Sequence, residues 1–280
     1  MHHPHHDHAD DHDDFGGLHR DLRSTGAVMD RRAMVRLALS FGALQLLGCS
    51  SDGSSATTGT DTTGQTVDLA GSTACSRIPE ETQGPFPGDG SNGPNVLPVT
   101  GVVRSDIRSS FGTLSGTADG IVTTLSFKVL SRSTCAPVAG YAVYVWHCDK
   151  QGRYSLYSSG VTNQNYLRGV QATDANGVAT FTTIFPACYS GRWPHVHFEI
   201  YQSLTAATSV SNKLATSQIA IPKSVCDLVY KTSGYEQSVS NLSQISLSSD
   251  MVFADGYTLE TPAVTGNATD GFAITQYVYV

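Results

Sequence analysis

The chain has 280 residues, ten histidines and a formal net charge of −7 at pH 7. This acidic balance, without a cluster of Lys and Arg, argues against a surface for nucleic acid or anionic lipid. The length suits one large domain or two ordinary ones, but roughly the first 70 residues have no pattern that could build a core. The rest is rich in Val, Thr, Tyr, Ser and Gly, with turn residues at frequent intervals, which predicts an all-β domain.

The N-terminal segment 1–48 is predicted to be a leader and not part of the fold. Its first residues, MHHPHHDHADDHDD, are so rich in His and Asp that they must be solvated; they would be a weak metal scavenger or lie upstream of a true start at Met29. The arginines at 31–32 then precede an apolar run at 37–47, which suits an export signal but is too short to span a bilayer. Paired arginines of this kind indicate export by the twin-arginine route.

The apolar run ends in LLGC, which resembles the cleavage box of bacterial lipoproteins, with Cys49 as the residue that would carry the lipid. A tether rich in Ser, Thr and Gly follows over 49–73 and leaves the domain proper at 74–280. The sequence therefore predicts an exported protein, periplasmic or at the cell surface, which meets a membrane only through its lipid. An ordinary cleaved signal with a stray cysteine is the alternative.

The other cysteines agree with export, because exported compartments permit disulfides. Their number is odd once Cys49 is set aside, so two bridges and one free thiol are expected, with no indication of the pairing. None of them has the C-x-x-C spacing of structural zinc sites. They are Cys75, Cys135, Cys148, Cys188 and Cys226.

Strand candidates follow one another along the domain. In chain order they lie at 123–131, 140–149, 153–160, 165–174, 178–186, 195–201, 217–222 and 272–280. In the second of them, Val143 and Val145 share a face with His147, while the aromatic side chains lie on the other face. Because no long amphipathic helix and no fixed repeat interrupts the series, we predict a β-sandwich with few or no long helices.

The strand HVHFEIY carries the most informative pair of side chains, His195 and His197. Side chains alternate across a strand, so both histidines share one face with Glu199 and Tyr201, opposite an apolar face that can enter a core. Two imidazoles side by side are typical of a preset pair of metal ligands. Two surface histidines are the alternative.

Two tyrosines lie in turns that could bring their phenols to the same face. Tyr189 lies between Pro186 and Gly191, directly before the histidine pair, and Tyr154 follows the turn DKQG. Half-buried structural tyrosines are the alternative for both. A phenol, with a reference pKa of about 10, becomes a ligand only when a strongly acidic metal ion displaces its proton. Ferric iron can do so, and two tyrosinates with two neutral imidazoles would hold it in the ferric state.

These segments together resemble a known family. WHCDKQGRYSLY and NYLRGVQATDANGVATFTTIFPACYSGRWPHVHFEI are similar to the core of the intradiol ring-cleavage dioxygenases, non-haem iron(III) enzymes that include protocatechuate 3,4-dioxygenase and the catechol 1,2-dioxygenases. CSRIPEETQGPFPGDG, at 75–90, resembles the segment that opens the domain in exported members, and NVLPVTGVVRSDIRSSFG resembles the next segment of those members. The resemblance runs from residue 74 to the mid-220s, and more loosely to the C-terminus, and implies the β-sandwich of that family.

The resemblance implies a ligand set for Fe(III). Tyr154 and Tyr189 would be the tyrosinates, and Tyr189 would be the one that is released when substrate binds. His195 and His197 would be the imidazole ligands. Arg192 would place a fixed cation beside the ring carbon that gains carbanion character. The candidates for the substrate pocket are Gly84, Pro85, Phe86, Tyr166 and Gln171.

Two positions depart from the family pattern. Cys188 stands where aromatic or other residues are usual before the ligand tyrosine, and Ala187 replaces the usual Gly. Neither change removes a ligand, but both would alter the shape of the pocket. A homo-oligomer is compatible with the sequence.

The reaction that the resemblance implies is cleavage of a catechol between its two hydroxyl-bearing carbons. The catechol and O2 would be the partners, and both oxygen atoms would enter a cis,cis-muconate-type dicarboxylic acid. The bases released on binding would take up the two phenol protons. Catechol, protocatechuate, hydroxyquinol and larger or chlorinated diols all remain open as substrates.

Three other functions are compatible with parts of the sequence. A non-catalytic sandwich of the transthyretin-like type would use TDANG as a hairpin turn, but it has no need of Arg192 or the histidine pair. A periplasmic copper or zinc carrier would use the histidines, including the N-terminal tract, and leave Tyr154 idle. An intradiol fold that has lost its activity would only bind aromatic compounds.

Overall fold

The computed structural model describes residues 59–60, 66–67 and 75–280. The leader at 1–48, the alternative start Met29 and the lipidation site Cys49 therefore lie outside the described residues, and so does most of the tether. The domain boundaries stay a prediction. No helix in the described part of the chain is long and apolar enough to cross a membrane.

The described residues form two four-stranded sheets and one short strand pair. The strands are β1 (Gly59–Thr60), β2 (Thr66–Val67), β3 (Val122–Leu130), β4 (Ala142–Trp146), β5 (Arg168–Ala172), β6 (Val178–Ile184), β7 (His195–Tyr201), β8 (Lys213–Ala220), β9 (Ala263–Asn267) and β10 (Gly271–Tyr279). The helices are α1 (Lys223–Val229) and α2 (Glu236–Ser243), with 3-10 turns at Ala206–Thr208, Val210–Asn212, Phe253–Asp255 and Thr258–Glu260.

The strand order is β6-β3-β10-β9 in the first sheet and β5-β4-β7-β8 in the second, while β1 pairs with β2. Pairings in both sheets are antiparallel except that of β3 with β10, which is parallel. The two sheets form a sandwich and both helices are short, so the predicted all-β sandwich with few or no long helices is confirmed.

The main apolar core lies between the two sheets. Phe127 of β3 packs against Phe181 of β6 at 6.2 Å between ring centroids and against Phe198 of β7 at 5.0 Å. Burial of an aromatic or branched side chain contributes about 1.5–3 kcal/mol, so this layer supplies much of the stability. The strand β3 alternates between buried and more exposed side chains, as expected of a sheet with one solvated face.

The second sheet is covered on both faces, since every residue of β4 and β7 is buried. Its outer face meets apolar side chains from the segment before β3, including Phe86, Val102 and Phe111. The two histidines of β7 therefore face a covered layer and not solvent. This excludes the alternative of two surface histidines.

All but one of the strand candidates coincide with observed strands. The candidate at 153–160 is wrong, because RYSLYSSG folds into consecutive turns. The Tyr154 amide donates to Ser158 Oγ over 2.9 Å, and Leu156 has a φ of 74°, which a strand does not allow. The strand β9 and the two short helices were not among the predicted elements.

The expected number of disulfides is wrong. Cys75 and Cys135 form a bridge, but Cys148, Cys188 and Cys226 are buried free thiols. Each of the three thiols lies against backbone carbonyls, for example Cys188 Sγ at 3.4 Å from the Arg192 oxygen. Burial raises the pKa of Cys188 to about 12 and raises the pKa of the other two as well, which makes all three poor nucleophiles.

Candidate metal centre

Four side chains from three parts of the chain converge on the outer face of the second sheet. His195 Nε2 lies 3.2 Å from Tyr154 Oη and 3.2 Å from Tyr189 Oη. The same nitrogen lies 3.1 Å from His197 Nε2. All four side chains are buried, and the most exposed of them, Tyr189, shows only 8 % of its surface. The structure thus brings together the four residues that the sequence analysis proposed as ligands.

Each of the four side chains is fixed by its local backbone. The alternation of β7 places both histidines on one face, where His197 lies opposite Trp146 of β4. Tyr154 follows a tight turn in which Asp149 accepts hydrogen bonds from two backbone amides. Gly152 in that turn has a φ of 82°, and a Cβ there would come within 3.0 Å of the Tyr189 Cβ. A glycine is therefore needed where the two tyrosine segments meet.

The two imidazoles are oriented in different ways. His195 Nδ1 lies 2.5 Å from the Trp193 carbonyl oxygen, so Nδ1 carries the proton and Nε2 presents its lone pair to the phenols. The His197 ring stacks on Trp146 at 4.9 Å with an interplanar angle of 7°. His197 Nδ1 has no hydrogen-bond partner in the described residues, so stacking is the contact that sets the plane of this ring.

Burial makes the neutral form of this cluster the stable one when no cation is present. It lowers the pKa of His195 to about 3, and the charge of Arg192 acts in the same direction. Burial likewise holds the pKa of His197 well below its usual value. It raises the pKa of the Tyr154 phenol well above the usual value of a tyrosine. Both imidazoles are therefore ready to act as ligands, whereas a phenol needs a strong Lewis acid to release its proton.

This donor set fits a ferric ion. Ligand atoms that share one ion at about 2.0–2.2 Å are roughly 3 Å apart, which is the spacing around His195 Nε2. Within residues 75–280, no group of three or more His, Cys, Asp or Glu side chains could hold a metal ion. Two imidazoles alone give too few ligands to hold a metal ion, so a metal site here needs the two phenols as well. Phenolate oxygen favours a hard, highly charged ion.

Arg192 is fully buried beside the cluster and is held at two edges of its guanidinium group. Its Nε donates to Asp250 Oδ2 over 3.0 Å, and its NH2 group donates to Gln218 Oε1 over 2.7 Å. Burial alone would raise the pKa of Asp250, but the charge of Arg192 and the amide of Trp193 hold it below its usual value. The guanidinium is thus fixed in place as a cation.

Sequence reasoning missed both partners of Arg192. Gln218 lies directly opposite His197 across the β7–β8 pairing, so it would have been found if the strand register had been known. Asp250 lies 58 residues from Arg192 in a segment of turns, and no local pattern marks it.

The pocket candidates fall into two groups. The Phe86 ring packs against Tyr154 at 4.8 Å, and Gly84 and Pro85 precede it in the same segment. Tyr166 instead packs in a separate apolar cluster, and its hydroxyl donates to Asp149 Oδ2 over 3.2 Å. Its hydroxyl therefore supports the turn before Tyr154.

Gln171 does not reach the cluster. It lies opposite Val143 in the β4–β5 pairing, on the face that enters the main core, whereas the ligand face of that pairing carries Trp146. The alternation of side chains in β5 separates the two faces, and no local pattern indicated which face Gln171 would take.

A second buried arginine ties the pocket segment to the Tyr154 turn. Arg168 donates to the Pro87 oxygen over 2.7 Å, to the Ser155 oxygen over 2.9 Å and to Ser155 Oγ over 3.1 Å. It also reaches Tyr144 Oη over 3.3 Å. These partners are backbone carbonyls and hydroxyls, and none of them is a carboxylate.

Comparison with known proteins agrees with this architecture. Residues 93–195 match the family model described as Dioxygenase, a region that includes Tyr154, Tyr189, Arg192 and His195. The structure is similar to that of an intradiol ring-cleavage dioxygenase from Tetranychus urticae, with a TM-score of 0.57 and 24% sequence identity over 73% of this chain and 94% of that chain.

Two further solved structures show a weaker likeness, which carries no argument. One is a 3-chlorocatechol 1,2-dioxygenase from Rhodococcus opacus 1CP, with a TM-score of 0.45 and 16% identity over 72% of each chain. The other is a catechol 1,2-dioxygenase from Pseudomonas arvilla C-1, with a TM-score of 0.44 and 20% identity over 72% of this chain and 62% of that chain. No curated protein matches the chain.

The chain is thus similar to dioxygenases over residues 93–195 and has the β-sandwich fold of an intradiol ring-cleavage dioxygenase. The family match and the shared fold confirm the resemblance to the intradiol ring-cleavage dioxygenases.

We expect the substitution Arg168→Lys to lower the free energy of unfolding by about 2–4 kcal/mol. A lysine carries a point charge on a flexible stem and cannot reach all four acceptors. The buried Ser155 carbonyl would then lose its donor at about 1–3 kcal/mol, and the contacts to Ser155 Oγ, Tyr144 Oη and the Pro87 oxygen would weaken. The matched control is Arg153→Lys, at a partly exposed arginine of the neighbouring turn, and it should cost less than about 1 kcal/mol. Urea unfolding measures both, and equal losses would contradict the structural role of Arg168.

Proposed function

We propose that the protein is an intradiol dioxygenase that uses non-haem Fe(III) and O2. Its substrate would be a catechol-type diol, cleaved between the two hydroxyl-bearing carbons to give a cis,cis-muconate-type dicarboxylate. The observation that carries the proposal is the convergence of two phenols and two imidazoles in one buried cluster beside a fully buried arginine. The family match and the fold support the class of reaction.

Tyr154, Tyr189, His195 and His197 are the residues that would hold the iron. When bound there, Fe(III) would supply Lewis acidity toward a chelating catecholate, which opens the aromatic ring to reaction with O2. The imidazoles bring no charge, and the two phenolates offset two of the three positive charges. This balance suits a buried site, where an unpaired charge is costly.

Proton transfer falls to Tyr189. A catechol must lose two phenol protons before both of its oxygens can chelate, and a phenolate is a base of matching strength. Tyr189 lies in the loop between β6 and β7 and is the most exposed of the four residues, whereas both histidines lie on a fully buried strand. Tyr189 would therefore be the ligand that moves aside and accepts one of these protons, and the other proton would pass to solvent.

Arg192 would stabilise the negative charge that develops on the ring carbon. Asp250 and Gln218 hold its guanidinium group in one place, so it needs no rearrangement during the reaction. In a buried site the interaction is much stronger than in water, because the effective dielectric constant is lower. The Phe86 ring, packed on Tyr154, offers an apolar wall for an aromatic substrate.

The visible absorption spectrum of the full-length protein, loaded with Fe(III), tests this function. We expect a tyrosinate-to-iron band that moves to longer wavelength when catechol is added under nitrogen. Tyr154→Phe and His195→Ala should lose most of the iron, because each removes one ligand. Tyr157→Phe is the matched control, since this tyrosine lies in the same turn but bonds to Gly88 and Asn92.

A protein that stays colourless after iron loading would refute the proposal. So would an unchanged iron content in both ligand variants. Binding of copper or zinc that survives Tyr154→Phe would instead point to a metal carrier.

The substitution Arg192→Ala should leave the iron content near that of the wild type and lower kcat by about 10²–10³-fold, as expected for the loss of a fixed electrostatic group. Arg192→Lys, which keeps the charge but not the planar fork, should retain part of the activity. Oxygen uptake with catechol measures turnover, and iron analysis of the same samples is the control. Unchanged turnover in Arg192→Ala would remove this role from Arg192.

We also propose that the protein is exported and anchored by a lipid at Cys49. The signal-like pattern before Cys49 supports this, and so does the Cys75–Cys135 bridge, because disulfides persist in oxidising compartments. Mass spectrometry of protein recovered from the membrane fraction should find an N-terminal peptide that begins at a lipid-modified Cys49. An unmodified peptide spanning 45–52 would contradict the anchor.

A further inference from the structure

We propose that Asp250 is a positioning residue of the active site, which orients Arg192 directly and His195 through Trp193. The proposal rests on the function proposed above, since it assigns Asp250 a role through two residues that this function requires. Asp250 lies in the turns between α2 and the 3-10 turn at Phe253–Asp255, and it reaches the site from a distant part of the chain.

The Asp250 carboxylate is fully buried and uses both of its oxygens. Oδ2 accepts from Arg192 Nε over 3.0 Å and from the Trp193 amide over 2.6 Å. Oδ1 accepts from the amides of Val252 and Phe253 over 2.8 and 3.3 Å. One oxygen thus faces the site and the other closes the residue's own turn. The carboxylate fastens the segment after α2 to the loop that carries Tyr189 and Arg192.

Trp193 extends this contact to the metal ligands. Its amide is bound to Asp250, its carbonyl oxygen accepts the Nδ1 proton of His195, and its indole donates to the Ile221 oxygen over 2.9 Å. The residue is therefore held at three points. Because the Nδ1 hydrogen bond decides where His195 Nε2 points, a shift of the Trp193 backbone would turn that nitrogen away from the two phenols.

Asp250 also sets the position and the net charge of the Arg192 group. Asp250 accepts from Nε while Gln218 accepts from Nη2, and these two partners on different segments help to fix the plane of the guanidinium group. Removal of the carboxylate charge would make the surroundings of the cluster more positive by one charge. A more positive environment would oppose the binding of a trivalent cation. Orientation and charge therefore both predict a loss of iron affinity.

Asp174 provides a matched control for the hydrogen bonds by which Asp250 Oδ1 closes its own turn. Asp174 Oδ1 accepts from the amides of Asn176 and Val178 over 2.8 and 2.9 Å, much as Asp250 Oδ1 does in its own turn. Asp174 is exposed and lies in the β5–β6 connection, away from the ligand cluster. Asp174→Asn therefore reports what the loss of a turn-closing carboxylate does by itself.

The experiment compares Asp250→Asn with Asp174→Asn in the full-length protein. Asparagine has one carbonyl oxygen where aspartate uses two, so half of the four hydrogen bonds must be lost. We expect Asp250→Asn to bind Fe(III) about 10–100-fold more weakly than the wild type and to shift the visible band. Asp174→Asn should match the wild type in both.

A second readout needs no iron. In the metal-free protein, hydrogen exchange of the Trp193 amide and of Arg192 Nε–H, followed by NMR, should be at least about tenfold faster in Asp250→Asn than in the wild type or in Asp174→Asn. If Asp250→Asn does not fold, Asp250→Glu takes its place, because it keeps the charge but moves both oxygens by one methylene. For Asp250→Glu we expect weaker binding of Fe(III) through the loss of orientation alone, together with the same faster exchange.

Failure of the inference and failure of the proposed function give different results. A wild-type protein without the iron band refutes the function, and the exchange rates still decide whether Asp250 orients Arg192 and Trp193. A coloured wild type, with the position-250 variant equal to it in iron affinity, band and exchange, overturns the inference. If the position-250 variant loses stability but keeps its iron affinity, its visible band and its exchange rates, Asp250 only closes its own turn.

Discussion

The position of β7 inside a sheet that is covered on both faces is the constraint on which the site depends. It pairs with β4 on one side and β8 on the other, and all of its residues are buried. A strand in that position cannot shift by one residue, because a shift would send Phe198 out of the main core and the histidines into it. The core between the sheets therefore fixes the two imidazoles that face away from it.

The phenols of Tyr154 and Tyr189 are positioned in a different way from the imidazoles. They lie in turns, which the sheet cannot position, and each turn is held by buried polar contacts. Asp149 closes the turn before Tyr154, and Arg168 links Ser155, directly after Tyr154, to Pro87, which follows Phe86. Asp250 holds the loop that carries Tyr189. In the proposed metal site, rigid imidazoles and separately held phenols would allow one ligand to move while the others stay in place.

This division explains which parts of the site could be predicted from the sequence. Alternation in β4 and β7 is a local property, so the shared face of His195 and His197 followed from the sequence alone. The candidate tyrosines, Tyr154 and Tyr189, could be named because they lie beside that strand or in a recognisable turn. Long-range contacts had no such signal: Asp250 is distant in the chain, and the face of Gln171 depends on which side of β5 meets the core. The three free thiols lie in the core against backbone carbonyls, an arrangement that spacing in the sequence cannot show.

Charge balance links the buried residues around the cluster. Two arginines lie within this layer, of which Arg192 has a carboxylate partner and Arg168 has carbonyls and hydroxyls. The positive potential of Arg168 reaches the cluster and contributes to the low pKa of His197. A site with this potential favours anionic ligands, so phenols there would lose their protons on binding a cation more readily than in a neutral apolar pocket. Each arginine would therefore have two effects on a metal ion in the proposed site: it would repel the ion directly, and it would stabilise the phenolates proposed to hold the ion. The Asp250 carboxylate would limit the repulsion from Arg192.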